Sequence, residues 1–174
     1  MMPKRNALII VAVLAALAVA VVVLAVLNKE SVASKQDAQD RGVFYIYAGD
    51  AEYAVSLDDI EALGPFDIAA NHKSSGNAAE TQMYQGVSLK EVLASLQIDA
   101  TKYGSVSFLA ADGYASSLTV ERALDENNCY IVTAMDGKPL GTRADGGSGP
   151  FMMILANDAF SQNWCKFLLE IRFK

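Results

Sequence analysis

The chain opens on an unbroken apolar run, ALIIVAVLAALAVAVVVLAVL over residues 7–27, and apolar and polar positions begin to alternate only beyond residue 42. At about 1.5 Å of rise per residue, a helix over this run reaches roughly 30 Å, the thickness of a bilayer's hydrocarbon core. A helix packed in a soluble core keeps a polar stripe, and this run has none. The expectation is a transmembrane anchor at 7–27, preceded by a short cytoplasmic stretch at 1–6. A polar, alanine-rich linker follows over 28–42, and residues 43–174 form the folded domain.

Within that domain Val43-Phe44-Tyr45-Ile46-Tyr47 has the composition of a strand. Ser56 before Leu57-Asp58-Asp59 has the form of a capped helix start, with acids at the positive dipole end and Gly64-Pro65 as the stop. Phe66 to Lys73 and Glu80 to Tyr84 flank the turn SSGN as a hairpin. Ser88 and Glu91 have capping-box spacing, and Leu89, Val92, Leu93 and Leu96 share one helical face. Strands are expected at Val106–Leu109 and Ser117–Val120, on either side of an Asp112-Gly113 turn. A brief helix at Glu121–Leu124 and a strand at Tyr130–Met135 follow. The tight turn Asp136–Pro139 leads to a loop over 141–149, a strand at Phe151–Leu155 and a closing strand at Phe167–Phe173. Many short strands with few short helices predict an α+β fold dominated by a mixed or antiparallel sheet.

Charge sets the orientation. Lys4 and Arg5 precede the anchor, and positive flanks stay on the cytoplasmic side, so the expected localisation is a single-pass cell-membrane protein with its C-terminal domain extracytoplasmic. A cleaved signal peptide is the alternative, although its apolar region is normally shorter and the small-residue site Ser31-Val32-Ala33 lies past the run. Lys4 and Arg5 are the only charges before residue 28, so of 14 basic and 20 acidic residues the exported part keeps 12 and 20, a formal charge of −8. Such a domain suits neither nucleic acid nor an anionic membrane surface. Cys129 and Cys165 lack the CxxC spacing of a zinc site, and both a bridge and two separately buried thiols are open. The chain has no serine nucleophile elbow, HExxH or P-loop, so neither a catalytic residue nor a metal ligand is assigned.

From about Tyr84 onward the order of motifs resembles the molybdopterin-binding domain of the sulfite-oxidase-like oxidoreductases. Tyr84-Gln85-Gly86-Val87-Ser88-Leu89 stands before a helix, followed by Ala111-Asp112-Gly113-Tyr114 and Ala134-Met135-Asp136-Gly137-Lys138-Pro139-Leu140. Gly149-Pro150 then leads a hydrophobic strand, and Trp164 precedes the last one. The resemblance implies that family's β-rich fold and, in active members, molybdopterin with a cysteine thiolate on molybdenum just before the YxGV-like motif. Here the corresponding stretch, residues 71–80, contains no cysteine. Its His72, the only histidine, is read as a solvated strand end. Where the family commonly has Pro-Leu-Arg-Leu, this chain has Pro150-Phe151-Met152-Met153, so a thioether stands in place of a fork of donors. Cofactor-loaded members that work outside the membrane cross it folded, behind a twin-arginine signal, and Lys4-Arg5 lacks the second arginine.

The glycine turns at 112–113 and 136–137 have a structural reading, positive φ. Gly146-Gly147-Ser148-Gly149 also has a second one, a cradle of backbone N–H groups for an anion. Tyr114 and Trp164 are candidates to wall a planar ligand, with packing on the sheet edge as the alternative. The candidate cofactor-binding cleft therefore lies among Asp112, Gly113, Tyr114, Arg143, Gly147, Ser148 and Trp164. The expected function is a membrane-anchored binding or accessory module without metal, contacting a small molecule or a redox partner protein. No cofactor is expected, with molybdopterin as the alternative in a working oxidoreductase with unusual ligands. A third possibility is a structural subunit of a membrane redox complex, for which Ala12, Ala16 and Ala20 give small-residue spacing along the anchor.

Overall fold

The computed structural model describes residues 13–21, 23, 37–72, 80–125 and 127–174. The chain divides into two units, residues 1–37 and 38–174. In the first, residues 13–21 and 23 are helical and exposed. The rest of the expected anchor and most of the linker lie outside the described residues. No described helix is long and apolar enough to cross a membrane.

The second unit begins before the first strand. Gly42 N–H donates to the Gln39 carbonyl at 3.0 Å, and Leu57 N–H donates to the Gly42 carbonyl at 3.1 Å. Two sheets follow. The first has the order β2(Ala51–Ser56)–β1(Val43–Ala48)–β10(Leu168–Phe173)–β5(Ser105–Ala110)–β6(Ala115–Thr119). The second runs β3(Phe66–His72)–β4(Glu80–Ser88)–β7(Cys129–Met135)–β8(Lys138–Pro139), and β9(Met152–Leu155) also pairs with β7. β1 and β10 pair in parallel while the other strand pairs are antiparallel, so the expected mixed sheet is found.

Short helices follow β2, β4 and β6. In α1(Leu57–Ala62) and α2(Leu89–Ser95), Ser56 and Ser88 each form a full capping box, with Asp59 and Glu91. Leu89, Val92 and Leu93 are buried on the predicted face of α2. The single turn α3(Val120–Ala123) is capped by Thr119. The inward faces of both sheets share one core, in which Phe44, Ile46, Phe108 and Ile171 of the first meet Tyr84, Ile131 and Met153 of the second.

β2 is missing from the sequence-based expectation. AEYAVS buries only Val55, as suits an edge strand, so its apolar alternation is weak. Its partner supplies what its own pattern lacks: Val43 to Ala48 pair residue by residue with Ser56 to Ala51. A turn at Gly49 with φ +63° makes that return possible. The 73–79 turn of the β3–β4 hairpin lies outside the described residues.

Candidate functional site

The stretches holding the seven candidate residues converge on one segment, residues 162–167. The Asp112-Gly113-Tyr114 turn joins β5 to β6, with Tyr114 N–H donating to Asp112 Oδ1 at 3.0 Å. From there the Tyr114 hydroxyl donates to the Gln162 carbonyl. Two residues on, Ser116 Oγ–H donates to the Asn163 carbonyl at 2.9 Å. Phe167 ties the other side. Its N–H donates to the Ser148 carbonyl at 2.8 Å and its own carbonyl accepts from Ala111 N–H at 2.9 Å. The Arg143 guanidinium stands 5.9 Å from the centre of the Phe167 ring.

The 140–149 loop is wound on itself. Thr142 O accepts from Asp145 N–H at 3.2 Å and Gly147 N–H at 2.8 Å, and Arg143 O accepts from Gly146 N–H at 3.1 Å. Leu140 O and Gly141 O take the N–H groups of Ser148 and Gly149, at 3.1 and 2.8 Å. All five amides from 145 to 149 thus have partners inside the loop, which leaves no cradle of open N–H groups for an anion. Glycine at 147 has a packing reason, since a Cβ there would stand 2.1 Å from Leu140 O.

Asp145 latches this loop: its Oδ2 accepts from the Thr142 hydroxyl at 2.7 Å and from Thr142 N–H at 3.2 Å. These two bonds hold its carboxyl below the ordinary value of 3.8. A carboxyl depressed in the native state adds stability above its unfolded pKa and loses it as pH falls through the lower native one. Amide-exchange protection at Gly147 and Gly149 is therefore expected to drop as pH is lowered through that range, and to be low already at neutral pH in Asp145→Asn.

Trp164 belongs to the core and not to an open wall. It is 4% exposed, its Nε1–H donates to the Leu155 carbonyl at 3.2 Å, and its ring meets Tyr84 and His72 edge-on at 5.6 and 5.8 Å. His72 is accordingly half-buried against that ring, where a solvated strand end was expected. Burial, then the Asp136 charge, pushes the Tyr84 phenol to about 12. Asp112, Gly113, Tyr114 and Arg143 are exposed, and Gly147 and Ser148 are half-buried.

Cys165 and Phe167 share this region although neither is among the seven candidate residues. Phe167 has φ +54°, a left-handed turn that no sequence signal announces for a bulky residue. Cys165 is buried; burial first and Asp112 second push its thiol to about 12. Cys129 is buried too, and desolvation followed by the Asp158 charge raises its thiol strongly. The two are not bridged. Cys129 pairs with Leu155 on one side of β9, while Cys165 bridges Met153 on the other. Two strand spacings separate them by about 10 Å, beyond the roughly 7 Å a disulfide spans. Intact mass under non-reducing conditions is expected to show two thiols, slow to alkylate until denaturant is added.

Among the described residues no group of three or more His, Cys, Asp or Glu side chains is arranged to hold a metal ion. The cavities lined by Phe66, Glu91 and Tyr130 and by Tyr103, Thr119 and Leu124 include none of the seven candidates.

With this geometry in view, the family model described as the oxidoreductase molybdopterin-binding domain matches residues 48–174. The fold is similar to that of the sulfane dehydrogenase SoxCD from Paracoccus pantotrophus, with a TM-score of 0.63 at 15% sequence identity. That match covers 78% of this chain and 38% of the enzyme chain, so the present chain spans well under half of its length. At such identity the likeness carries the fold alone. No curated protein matches the chain.

Proposed function

Because the chain belongs to the oxidoreductase molybdopterin-binding domain family, we propose that it keeps the family's scaffold without its metal chemistry, as a membrane-anchored, extracytoplasmic binding or accessory module. The donors present do not fit the group the family implies. A molybdenum centre asks the protein for a soft thiolate, and residues 71–80 contain no cysteine. The chain's two thiols are both buried and held protonated, and a thiol kept neutral by burial is a poor ligand. A phosphate-bearing pterin asks for anion donors. The 145–149 amides are occupied within their own loop, and Met152, standing where the family has arginine, is 2% exposed on β9. Arg143 stands exposed over the Phe167 ring.

The thiol inventory is the observation that carries this proposal. It leaves the cluster at Asp112, Gly113, Tyr114, Arg143 and Ser148 to serve as a contact surface for a small molecule or a redox partner protein. The test is metal analysis of the full chain purified from its own host. Molybdenum far below one atom per chain is expected, and a stoichiometric content would overturn the proposal. Anchoring is checked separately: the protein should stay with membranes through alkaline carbonate, and its C-terminal domain should be cleaved by protease added outside intact cells.

A further inference from the structure

A strand at the edge of a sheet offers its outer N–H and C=O groups to another chain, and folded proteins keep such chains away with charge, proline or a bulge. The outer strands here follow that rule with one exception. β2 carries Glu52, β3 carries Asp67, and β8 consists of Lys138 and Pro139. β9 is buried throughout. β6, at the far end of the first sheet from β2, holds only ASSLT, without charge or proline, and its pairing with β5 runs without a bulge. The nearest charges in sequence, Asp112 before it and Glu121 and Arg122 after it, lie outside the strand.

Hydrogen bonds at the two ends of the β5–β6 pair fix which backbone groups are open. Ala110 N–H donates to the Tyr114 carbonyl at 2.8 Å, and Val120 N–H donates to the Gly104 carbonyl at 3.2 Å. Hydrogen-bonded pairs alternate in an antiparallel ladder. Ser116 and Leu118 therefore bond to Phe108 and Val106, while Ala115, Ser117 and Thr119 turn their N–H and C=O groups away from β5. These three residues are exposed, and among the described residues no strand lies beyond β6. Their side chains are small and lie on the outer face of the sheet, where Ser117 Oγ stands 2.9 Å from Ser107 Oγ.

We propose that β6 docks a second copy of this chain, whose own β6 adds alongside it, antiparallel, about a two-fold axis at Ser117. Each Ser117 then faces its counterpart, and each Ala115 faces the Thr119 of the second copy. This centre uses all three open residues of both strands, allowing roughly six hydrogen bonds. Moving the axis toward either end leaves at least one of them unpaired. The charge pattern favours a second copy on this strand. Like charges directly opposite each other destabilise a strand pair, and in an acidic chain β6 is the outer strand that brings none. The Ser107–Ser117 hydroxyl pair continues across the axis into its counterpart, since a two-fold interface presents the same surface from both sides. The proposal is independent of the metal-free assignment, because none of the seven candidate residues takes part.

The test is disulfide trapping of Ser117→Cys in the full chain, in a nonionic detergent. In the proposed pair the two Cα atoms stand about 5.5 Å apart, inside the roughly 4.4–6.8 Å that a disulfide spans. Mild oxidation should link this variant into a dimer about tenfold faster than two controls. Ala115→Cys sets its own two Cα atoms roughly 14 Å apart in the same register. Ala54→Cys puts an exposed thiol on an outward position of β2, the opposite edge of the sheet, and reports chance collision. Adding Ala115→Pro to Ser117→Cys removes an amide that bonds to no neighbouring strand, so the cross-link should be lost while the melting temperature barely moves. Absence of a dimer, cross-linking of either control as fast as Ser117→Cys, or a cross-link that survives Ala115→Pro in folded protein would overturn the proposal.

Discussion

Gly86→Ala is expected to lower the melting temperature by more than about 10 °C, or to leave the chain insoluble, because it costs about 3 kcal/mol or more. A Cβ at this position would stand 2.2 Å from Ile131 O, 2.6 Å from Val132 Cα and 2.9 Å from Ile131 C. All three are backbone atoms of a central strand, which cannot rotate aside as a side chain can. The position coincides with the register shift between Gln85 and Gly86, where β4 slips by one residue against β7. Gly137→Asn is the informative contrast. There φ is +74° and nothing stands within 4 Å of the would-be Cβ, so asparagine, which tolerates the left-handed region, should cost about 1 kcal/mol or less. Thermal unfolding followed by circular dichroism separates the two reasons for glycine, and a mild effect of Gly86→Ala would contradict the packing of β4 on β7.

Trp164→Ala should be nearly as damaging, at about 3–5 kcal/mol, by emptying a core site of its largest side chain. The indole is lodged against Tyr84 and His72 and hydrogen-bonded to Leu155 O. Trp164→Phe keeps most of the packing and loses one hydrogen bond, from a carbonyl that also accepts from Asp158 N–H at 3.3 Å. Its cost should be about 1 kcal/mol. Denaturant midpoints rank the three proteins. Were Trp164 instead a ligand wall, the alanine variant would unfold like the parent and differ only in what it binds.

Both variants lie on the boundary between pattern and packing. The motifs around Tyr84–Leu89, Asp112–Tyr114 and Asp136–Pro139 are legible because each is local. A capping box needs residues three apart, a turn needs one left-handed position, and a helical face needs a 3.6-residue period. Ser88 with Glu91 forms the capping box its spacing predicts, and Ser56 caps α1 as expected, with Asp59 completing a box there too. β2 was illegible since the strand is defined by pairing with β1 and not by its own alternation.

The candidate site divides along the same line. Asp112–Tyr114, Arg143 and Ser148 are candidates for one cleft; the structure joins the stretches of Tyr114 and Ser148 through hydrogen bonds to Gln162 and Phe167, and Arg143 stands over the Phe167 ring. What each residue offers was beyond the reach of a linear pattern. Whether a glycine-rich loop presents its amides or consumes them depends on how Leu140 to Arg143 fold back over it. Whether an indole is wall or core depends on what stands across from it. Motif order carries the resemblance to the family, and composition carries the charge and the absence of cysteine from residues 71–80, since these are properties of the residues themselves. Burial of the thiols, closure of the loop and the open edge of β6 arise only when distant segments meet, because exposure and partner are relations between residues that the chain order does not encode.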